Sequence, residues 1–329
     1  MLITVVTAVY NGEQYLQECI DSILNQTYSY FEYMIVNDGS TDNTRKILDS
    51  IQDTRVKVVH LEKNQGAAAC LNLGIEKATG DWIAIQDADD ISMPTRLQEQ
   101  IQYLRNNPGA VGVGSYVECI PGKNFVHESI LRWNTEYFNV TLTKKEIYES
   151  RLYRCYLCHG SAIFSKAAFH KVGGYNTKFK ITYDYNLWTR LFEIAPIEKI
   201  PKVLYQYRIV HDSLSHSNLI EFSIESTLAV LTRVQEIIYA RTNRNPNCIL
   251  ATSEEKCRFF EQYILPRIDI HIHEFIYNRS KFKKKEINKL IKQGKIDAII
   301  TMSDTISEQF LRILVQKRLK IEKEFFKIN

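Results

Sequence analysis

The chain opens on an apolar run, Leu2–Val9, that is rich in β-branched residues and strand-sized. The period then changes. Across Glu13–Asn25 the apolar positions Tyr15, Leu16, Cys19, Ile20 and Ile23 share one face of a helix. The alternation repeats: Phe31–Val36 predicts a second strand, and Ser40-Thr41-Asp42 supplies capping residues for a helix over Arg45–Ile51. Val56–Leu61 predicts a third strand and Gly66–Ala78 a third helix, stopped by Thr79-Gly80. Asp81–Gln86 predicts a fourth strand, and Pro94 suits the first turn of a fourth helix that runs to about Asn106. Strand and helix in strict alternation predict an α/β architecture with a mainly parallel central sheet flanked by helices. Near-continuous apolar strands fit a sheet covered on both faces.

From 121 to 215 the pattern is less regular, and it reads as a continuation of the same domain. From about 218 glycine becomes rare, helical spacing dominates, and Lys and Arg become frequent. The expectation is one domain over 1–217 and a helical C-terminal region over 218–329. A chain of 329 residues has room for both.

Composition narrows the function. Charged residues are 24% and hydrophobic residues 45%, which excludes a wholly disordered chain. No apolar run approaches the roughly 20 residues of a membrane helix. The first residues read as a strand rather than a leader, so a cytoplasmic protein is expected. Seven cysteines, an odd and sparse count, argue against a disulfide scaffold. Cys155-x-x-Cys158-His159 matches a haem-attachment spacing in form only, and a second close cysteine pair that would complete a zinc site is missing. The aromatic residues Trp133, Tyr137 and Phe138 read as core in preference to a sugar-stacking platform.

The net charge of +4 is mild, and its distribution matters more. Arg279, Lys281, Lys283, Lys284, Lys285, Lys289, Lys292 and Lys295 form one basic block. Lys317, Arg318, Lys320, Lys323 and Lys327 form another, interleaved with Leu319, Ile321, Phe325 and Phe326. A solvated helix face is the plainer reading. The sharper one is peripheral contact with anionic lipid at the inner face of the membrane, where each basic residue adds about 1 kcal/mol. No nucleic-acid recognition module is visible.

Chemistry should sit where parallel strands end. There the chain places Tyr10-Asn11, then Asn37-Asp38-Gly39-Ser40-Thr41-Asp42, then Asp87-Ala88-Asp89-Asp90. Asp38 and Asp42 can each serve as turn or N-cap residues, and Asp90 reads equally as a cap or a metal contact. Clustered carboxylates suit a hard divalent cation, which would in turn attract a diphosphate. Neither G-x-G-x-x-G nor G-x-x-x-x-G-K-[ST] follows the first strand, so no glycine cradle is available for phosphate.

The motifs resemble those of family 2 glycosyltransferases, in their order and spacing. They are Thr7-Ala8-Val9-Tyr10-Asn11, Val36–Asp42, Asn64-x-Gly66 and Gly80–Asp90. They continue through His159-Gly160-Ser161, Gly173-Gly174-Tyr175 and Tyr183–Trp188, so the resemblance spans roughly residues 2–215. It implies the GT-A fold and inverting transfer of a sugar from a nucleotide-sugar donor, with UDP the first expectation. The acceptor would be a glycan or a lipid-linked hydroxyl in surface polysaccharide synthesis. The resemblance also implies site residues. Thr7, Ala8, Tyr10, Asn11, Asp38, Asn64, Gly66, Asp87 and Ala88 would bind the donor. Asp89 would ligate Mn²⁺ or Mg²⁺, Asp184 would be the general base, and His211 would complete the metal shell.

The chain departs from the family pattern at several places. Tyr183 stands where a Glu precedes the base, Ala8 where Pro is common, and Leu71 where Arg is common. His211 falls one residue later than the Arg-x-His spacing. A sugar-phosphate nucleotidyltransferase would carry a glycine-rich basic loop where Tyr10-Asn11-Gly12-Glu13 stands. A non-catalytic nucleotide-sugar binding protein is the other alternative. A homodimer through the C-terminal region is a further expectation.

Overall fold

The structure, a computed structural model, describes residues 1–210, 218–277, 284–302 and 325–328. The chain divides into two compact units. One comprises Met1–Glu149 with Cys155–Leu219, the other Ser150–Arg154 with Ile220–Asn329.

The first unit opens with β1 (Ile3–Val9), α1 (Leu16–Leu24), β2 (Phe31–Asn37), α2 (Thr44–Asp49), β3 (Val56–His60), α3 (Ala67–Lys77) and β4 (Trp82–Ile85). There follow β5 (Ile91–Ser92), α4 (Arg96–Asn106), β6 (Gly112–Pro121), α5 (Glu128–Phe138) and α6 (Lys144–Ser150). A 3-10 turn at His159–Ser161 leads to β7 (Ile163–Ser165), α7 (Lys166–Lys171), α8 (Tyr183–Leu191) and β8 (Glu198–Ile209). The eight strands form one sheet in the order β3-β2-β1-β4-β7-β6-β8-β5. β3, β2, β1 and β4 run parallel, with Val9 opposite Asn37 and Val6 opposite Ile85. β7 is antiparallel to both β4 and β6, β6 is parallel to β8, and β5 is antiparallel to β8.

Strand alternation sorts the side chains onto two faces. Val6, Met34, Ile83 and Ile85 enter a core shared with Leu71 and Ile75 of α3 and Leu187, Trp188 and Leu191 of α8. Ile3, Val5, Val9, Tyr33 and Ile35 enter the other, with Leu16, Ile20 and Ile23 of α1 and Leu97, Ile101 and Leu104 of α4. All seven residues of β2 are buried, as a strand covered on both faces requires.

α5 corrects one expectation. None of its residues is buried, and Trp133 is 64% exposed and stacked on Tyr137 with ring centroids 5.7 Å apart. Only Phe138 of the three aromatics packs inward, against Tyr207. The helix is held to β6 by polar bonds instead: Cys119 N–H donates to Thr135 Oγ1, and Asn139 exchanges two bonds with the Val117 backbone.

The second unit corrects another. It contains the helices α9 (Leu219–Thr242), α10 (Glu254–Phe259) and α11 (Lys284–Lys292). It also contains β9 (Asn247–Ala251), β10 (His271–Ile276), β11 (Ala298–Met302) and β12 (Phe325–Ile328). These strands form a fully parallel sheet in the order β10-β9-β11-β12. The region is therefore α/β and not simply helical. Its strands are only four to six residues long, and β9 and β11 are short apolar runs that periodicity does not distinguish from a buried helical segment.

The basic blocks separate in the same way. Ile287, Leu290 and Ile291 of α11 face the unit's own core, while Lys285, Lys289 and Lys292 are exposed. Phe325 and Phe326 are buried in β12 and unavailable to lipid. Arg279, Lys281, Lys283, Lys317, Arg318, Lys320 and Lys323 lie outside the described residues. Among the described residues no helix is long and apolar enough to cross a membrane.

Candidate functional site

The site forms on the first unit, where β1, β2 and β4 end side by side. The loops after β1 and β2 are tied together. Asn11 has a φ of 53°, a left-handed conformation that Asn tolerates. Its N–H donates to Ser40 Oγ at 2.9 Å, and its side-chain oxygen accepts from Thr41 N–H at 2.8 Å. Asp42 accepts from Glu13 N–H and Thr44 N–H, the turn and cap role its position predicts. Gly39 has a φ of 68°, and a Cβ there would lie 2.8 Å from the Lys63 carbonyl carbon. Only glycine lets the loop after β2 approach the loop after β3 here.

Asp38 is buried, and both its oxygens are used. Oδ1 accepts from Gln65 N–H at 2.7 Å and Oδ2 from Gly66 N–H at 2.9 Å. It thereby fixes Asn64-Gln65-Gly66 at the entry to α3, with Asn64 exposed. Tyr10 is half exposed beside these loops, and Ala8 packs half-buried against the core. Thr7 requires correction as a donor contact. It is fully buried on the α1 face, where its hydroxyl donates to the Gln86 carbonyl at 2.7 Å and meets Tyr33 Oη at 2.9 Å. A β-strand side chain pointing into the core does not line a crevice at the strand end.

The loop after β4 carries the acidic cluster. Beneath it Gln86 is buried, and its amide donates to the carbonyls of Asp87 and Asp90. The Gln86 side-chain oxygen accepts from Ser92 Oγ at 2.6 Å and from a guanidinium nitrogen of Arg96 at 3.2 Å. Arg96 is itself fully buried, and it also donates to the carbonyls of Ile85 and Ala162. Its guanidinium lies 5.0 Å from the centre of the Tyr205 ring, and the Tyr205 hydroxyl accepts from Asp87 N–H. Sequence reasoning missed Arg96 and Tyr205. A lone arginine beside the apolar positions Leu97, Ile101 and Leu104 was the available signal for the first. Nothing local marks the second.

Electrostatics follow from this crowding. Burial, and then the charge of Asp87, push the Asp89 carboxyl up to about 6. Asp90 is pushed well above the usual carboxylate range by burial and by Asp89 and Asp87. One Asp90 oxygen accepts from Arg208 N–H at 2.6 Å, and the other is buried without a hydrogen-bond partner. The carboxylates of this loop repel one another. Among the described residues no three His, Cys, Asp or Glu side chains form a ready metal cage. The donor set therefore fits a hard cation held by one or two carboxylates, with water and a substrate diphosphate supplying the other oxygens. Asp89 and Asp87 are the groups that fit, and Ala88 between them is half-buried. His211 lies outside the described residues.

Across the crevice stands Asp184, in the first turn of α8, with Oδ1 accepting from Tyr185 N–H at 2.7 Å. Burial raises its carboxyl, and the charge of His159 partly offsets this. His159 is buried between the acidic groups, with Nδ1 3.4 Å from Asp87 Oδ1 and Nε2 2.8 Å from Tyr175 Oη. Burial alone would lower its pKa, but the hydrogen bonding and charge of Asp87 outweigh that and raise it. The structure thus brings Asp87 and Asp184 to His159, with Ala88 and Asp89 following Asp87 in the same loop. It gathers Tyr10, Asn11, Asp38, Asn64 and Gly66 at the neighbouring strand ends.

Comparison with known proteins bears on this arrangement. Residues 4–173 match the profile described as Glycosyl transferase family 2. An uncharacterized glycosyltransferase of Haemophilus influenzae is 31% identical over 212 residues, which is 63% of this chain and 65% of that protein. Glycosyltransferase GlyG of Streptococcus pneumoniae is 43% identical over 117 residues, 35% of this chain and 39% of that protein. The chain thus spans less than two thirds of the length of either relative. Among solved structures, S. aureus TarS 1-349 in complex with UDP-GlcNAc superposes with a TM-score of 0.57 at 20% identity, over 71% of this chain and 66% of that one. The mannosyltransferase PcManGT from Pyrobaculum calidifontis, in complex with GDP-Man and Mn²⁺, gives 0.53 at 20% identity, over 74% and 65%. At that identity the likeness is one of fold, of the GT-A type.

Proposed function

This chain belongs to glycosyl transferase family 2, and from that premise we propose that it transfers a sugar from a nucleotide-sugar donor to an acceptor hydroxyl, with inversion at the anomeric carbon. The observation that carries the reading is the pairing of Asp87 and Asp89 at the carboxyl end of β4, with Asp87 and Asp184 both acting on one buried histidine, His159. UDP is the first candidate nucleotide. Tyr10, Asn11, Asp38, Asn64 and Gly66 would border the nucleoside. Asp38 acts partly through the loop it pins.

Asp89, with Asp87 beside it, would hold Mn²⁺ or Mg²⁺, which when bound supplies Lewis-acid stabilisation of the leaving diphosphate. Asp184 would take the proton of the attacking hydroxyl. Its raised pKa makes it a better base than an exposed carboxylate, and one of its oxygens is already oriented by Tyr185 N–H. Tyr175, Tyr183 and Trp188 pack around His159, on the side of the site that carries the base, and would limit water there. The acceptor would be a glycan or a lipid-linked sugar, in keeping with an exposed basic face on α11 that could rest on anionic lipid.

Incubating the protein with a panel of UDP-, GDP- and dTDP-sugars, Mn²⁺ and candidate glycan acceptors tests the reading. Release of one nucleotide, dependent on metal and acceptor and abolished by Asp184→Asn, is expected. Absence of release with every donor, by a protein that also binds none of the nucleotides, would overturn it.

A further inference from the structure

His159 is anchored more firmly than its backbone turn requires. Beneath it Ser161 Oγ donates to the Cys158 carbonyl at 2.8 Å, and Gln100 of α4 donates to the Ser161 carbonyl at 2.8 Å. Arg96 holds the next carbonyl, that of Ala162. Gly160 has no room for a side chain, because a Cβ would overlap the Tyr205 hydroxyl and crowd Asp87 Oδ2. Around the ring stand Tyr175 and Tyr183 edge-on, with centroids 5.7 and 5.5 Å away, and Trp188 at 6.0 Å. Tyr175 is in turn fixed to α3. Asn72 donates to its carbonyl and accepts from its N–H, both at 2.9 Å. The imidazole therefore has one orientation.

That orientation decides where the proton sits. Nδ1 faces a carboxylate oxygen, which can only accept. A proton on Nδ1 makes the contact attractive, and Nε2 is then free to accept from the Tyr175 hydroxyl. The charged groups that influence the ring are Asp87, Asp184 and Arg96. Of these only Asp87 lies against a ring nitrogen, Nδ1. At 3.4 Å the Asp87 contact is longer than a made hydrogen bond, as polar contacts in an unliganded site commonly are.

We propose that His159 is the positioning residue for Asp87. Its Nδ1–H holds Oδ1, so that the carboxylate, whose Oδ2 lies over Gly160, keeps one orientation toward the site, while Tyr175 fixes the opposite edge of the ring. The proposal deepens the donor-site reading above and rests on it for its consequence. It makes the turn before β7 the part that joins the donor carboxylate to the side of the crevice carrying Asp184. A residue that orients a site group in this way commonly changes affinity or activity by about 10–100-fold when lost.

Two measurements test it. The first is the imidazole nitrogen spectrum of the unliganded protein in mildly alkaline solution, with the His159 signals assigned by their loss in His159→Asn. The Nδ1–H tautomer should dominate, and Asp87→Ala should weaken that preference. A dominant Nε2–H tautomer, or one indifferent to Asp87→Ala, overturns the proposal. The second is the affinity for UDP with Mn²⁺. His159→Asn keeps an N–H near the Nδ1 position and should stay within about threefold of wild type, while His159→Gln and His159→Ala lose about tenfold. In an Asp87→Ala background the His159→Ala loss should vanish. Equal losses for Asn and Gln, or additive losses in the double variant, contradict it. If wild type binds no nucleotide, the donor-site reading falls, and the tautomer still decides whether His159 orients Asp87.

Discussion

The two halves of the eight-stranded sheet are built on different rules. In β3-β2-β1-β4 every strand runs the same way, so each one delivers its following loop to the same edge. In β7-β6-β8-β5 directions are mixed, and polar groups arrive from a turn, a helix start and the middle of a strand: His159, Asp184 and Tyr205. The proposed donor side of the site is thus a product of local order, and the proposed acceptor side a product of tertiary assembly. Arg96 spans the seam between them, since one guanidinium nitrogen donates to Ile85 O at the end of β4 and to Ala162 O just before β7.

Asp89→Asn should give the largest effect. Transfer is expected to fall on the order of 10⁴-fold, because the cation and its charge stabilisation are lost together. The stability consequence has the opposite sign. Asp89 has a folded pKa raised to about 6, so it costs stability as pH rises from its ordinary value of 3.8 through 6. The Asn variant should therefore melt no lower than wild type above that range, as thermal unfolding would record. A lower melting temperature would mean that the loop needs the charge structurally.

Asp184→Asn should separate the halves. The chemical step is expected to slow by about 10³-fold, while nucleotide affinity holds within about twofold. Parallel loss of affinity would show that the two sides are not independent.

Arg96→Met attacks the seam. It takes a donor from the buried Ile85 carbonyl and leaves the Gln86 oxygen with Ser92 Oγ alone and the Ala162 carbonyl with Ile85 N–H alone, and should cost about 1–3 kcal/mol in urea unfolding. A change below about 0.5 kcal/mol would remove Arg96 from the account.

The last effect concerns the parallel half alone. Burial would raise Glu32, but bonds from Lys57, Thr4 and Thr79 overcome it and hold the carboxyl near 2, below its usual 4.5. Because the folded pKa is depressed, the stability it gives is present above 4.5 and is lost as pH falls toward 2. Glu32→Gln should therefore be destabilised at neutral pH by roughly 2 kcal/mol, with the gap to wild type closing through that window. A gap unchanged at low pH would contradict it.

The same division governs what sequence reasoning can reach. Elements of the parallel half were legible to within a few residues: Leu2–Val9 against Ile3–Val9, and Phe31–Val36 against Phe31–Asn37. Their loops carry ordered motifs, and Asp38, Asp87 and Asp89 follow from them. Asp184 was legible only through family resemblance. The parallel sheet of the second unit was not legible, because strands as short and apolar as Ala298–Met302 carry no period of their own. Thr7 was misplaced because a motif position does not say which face of a strand it occupies, and Trp133 because an amphipathic helix can be tied to a sheet edge by amides and hydroxyls instead of by its aromatic residues.

The central claim is that the Asp87–Asp89 loop binds a nucleotide diphosphate through a divalent cation. Calorimetric titration of UDP, GDP and dTDP into wild type and Asp89→Asn, each with and without Mn²⁺, tests it most directly. The account predicts metal-dependent binding of one nucleotide to wild type, weakened by at least about 100-fold in the variant. Binding that is equal in both proteins, or indifferent to Mn²⁺, would contradict it.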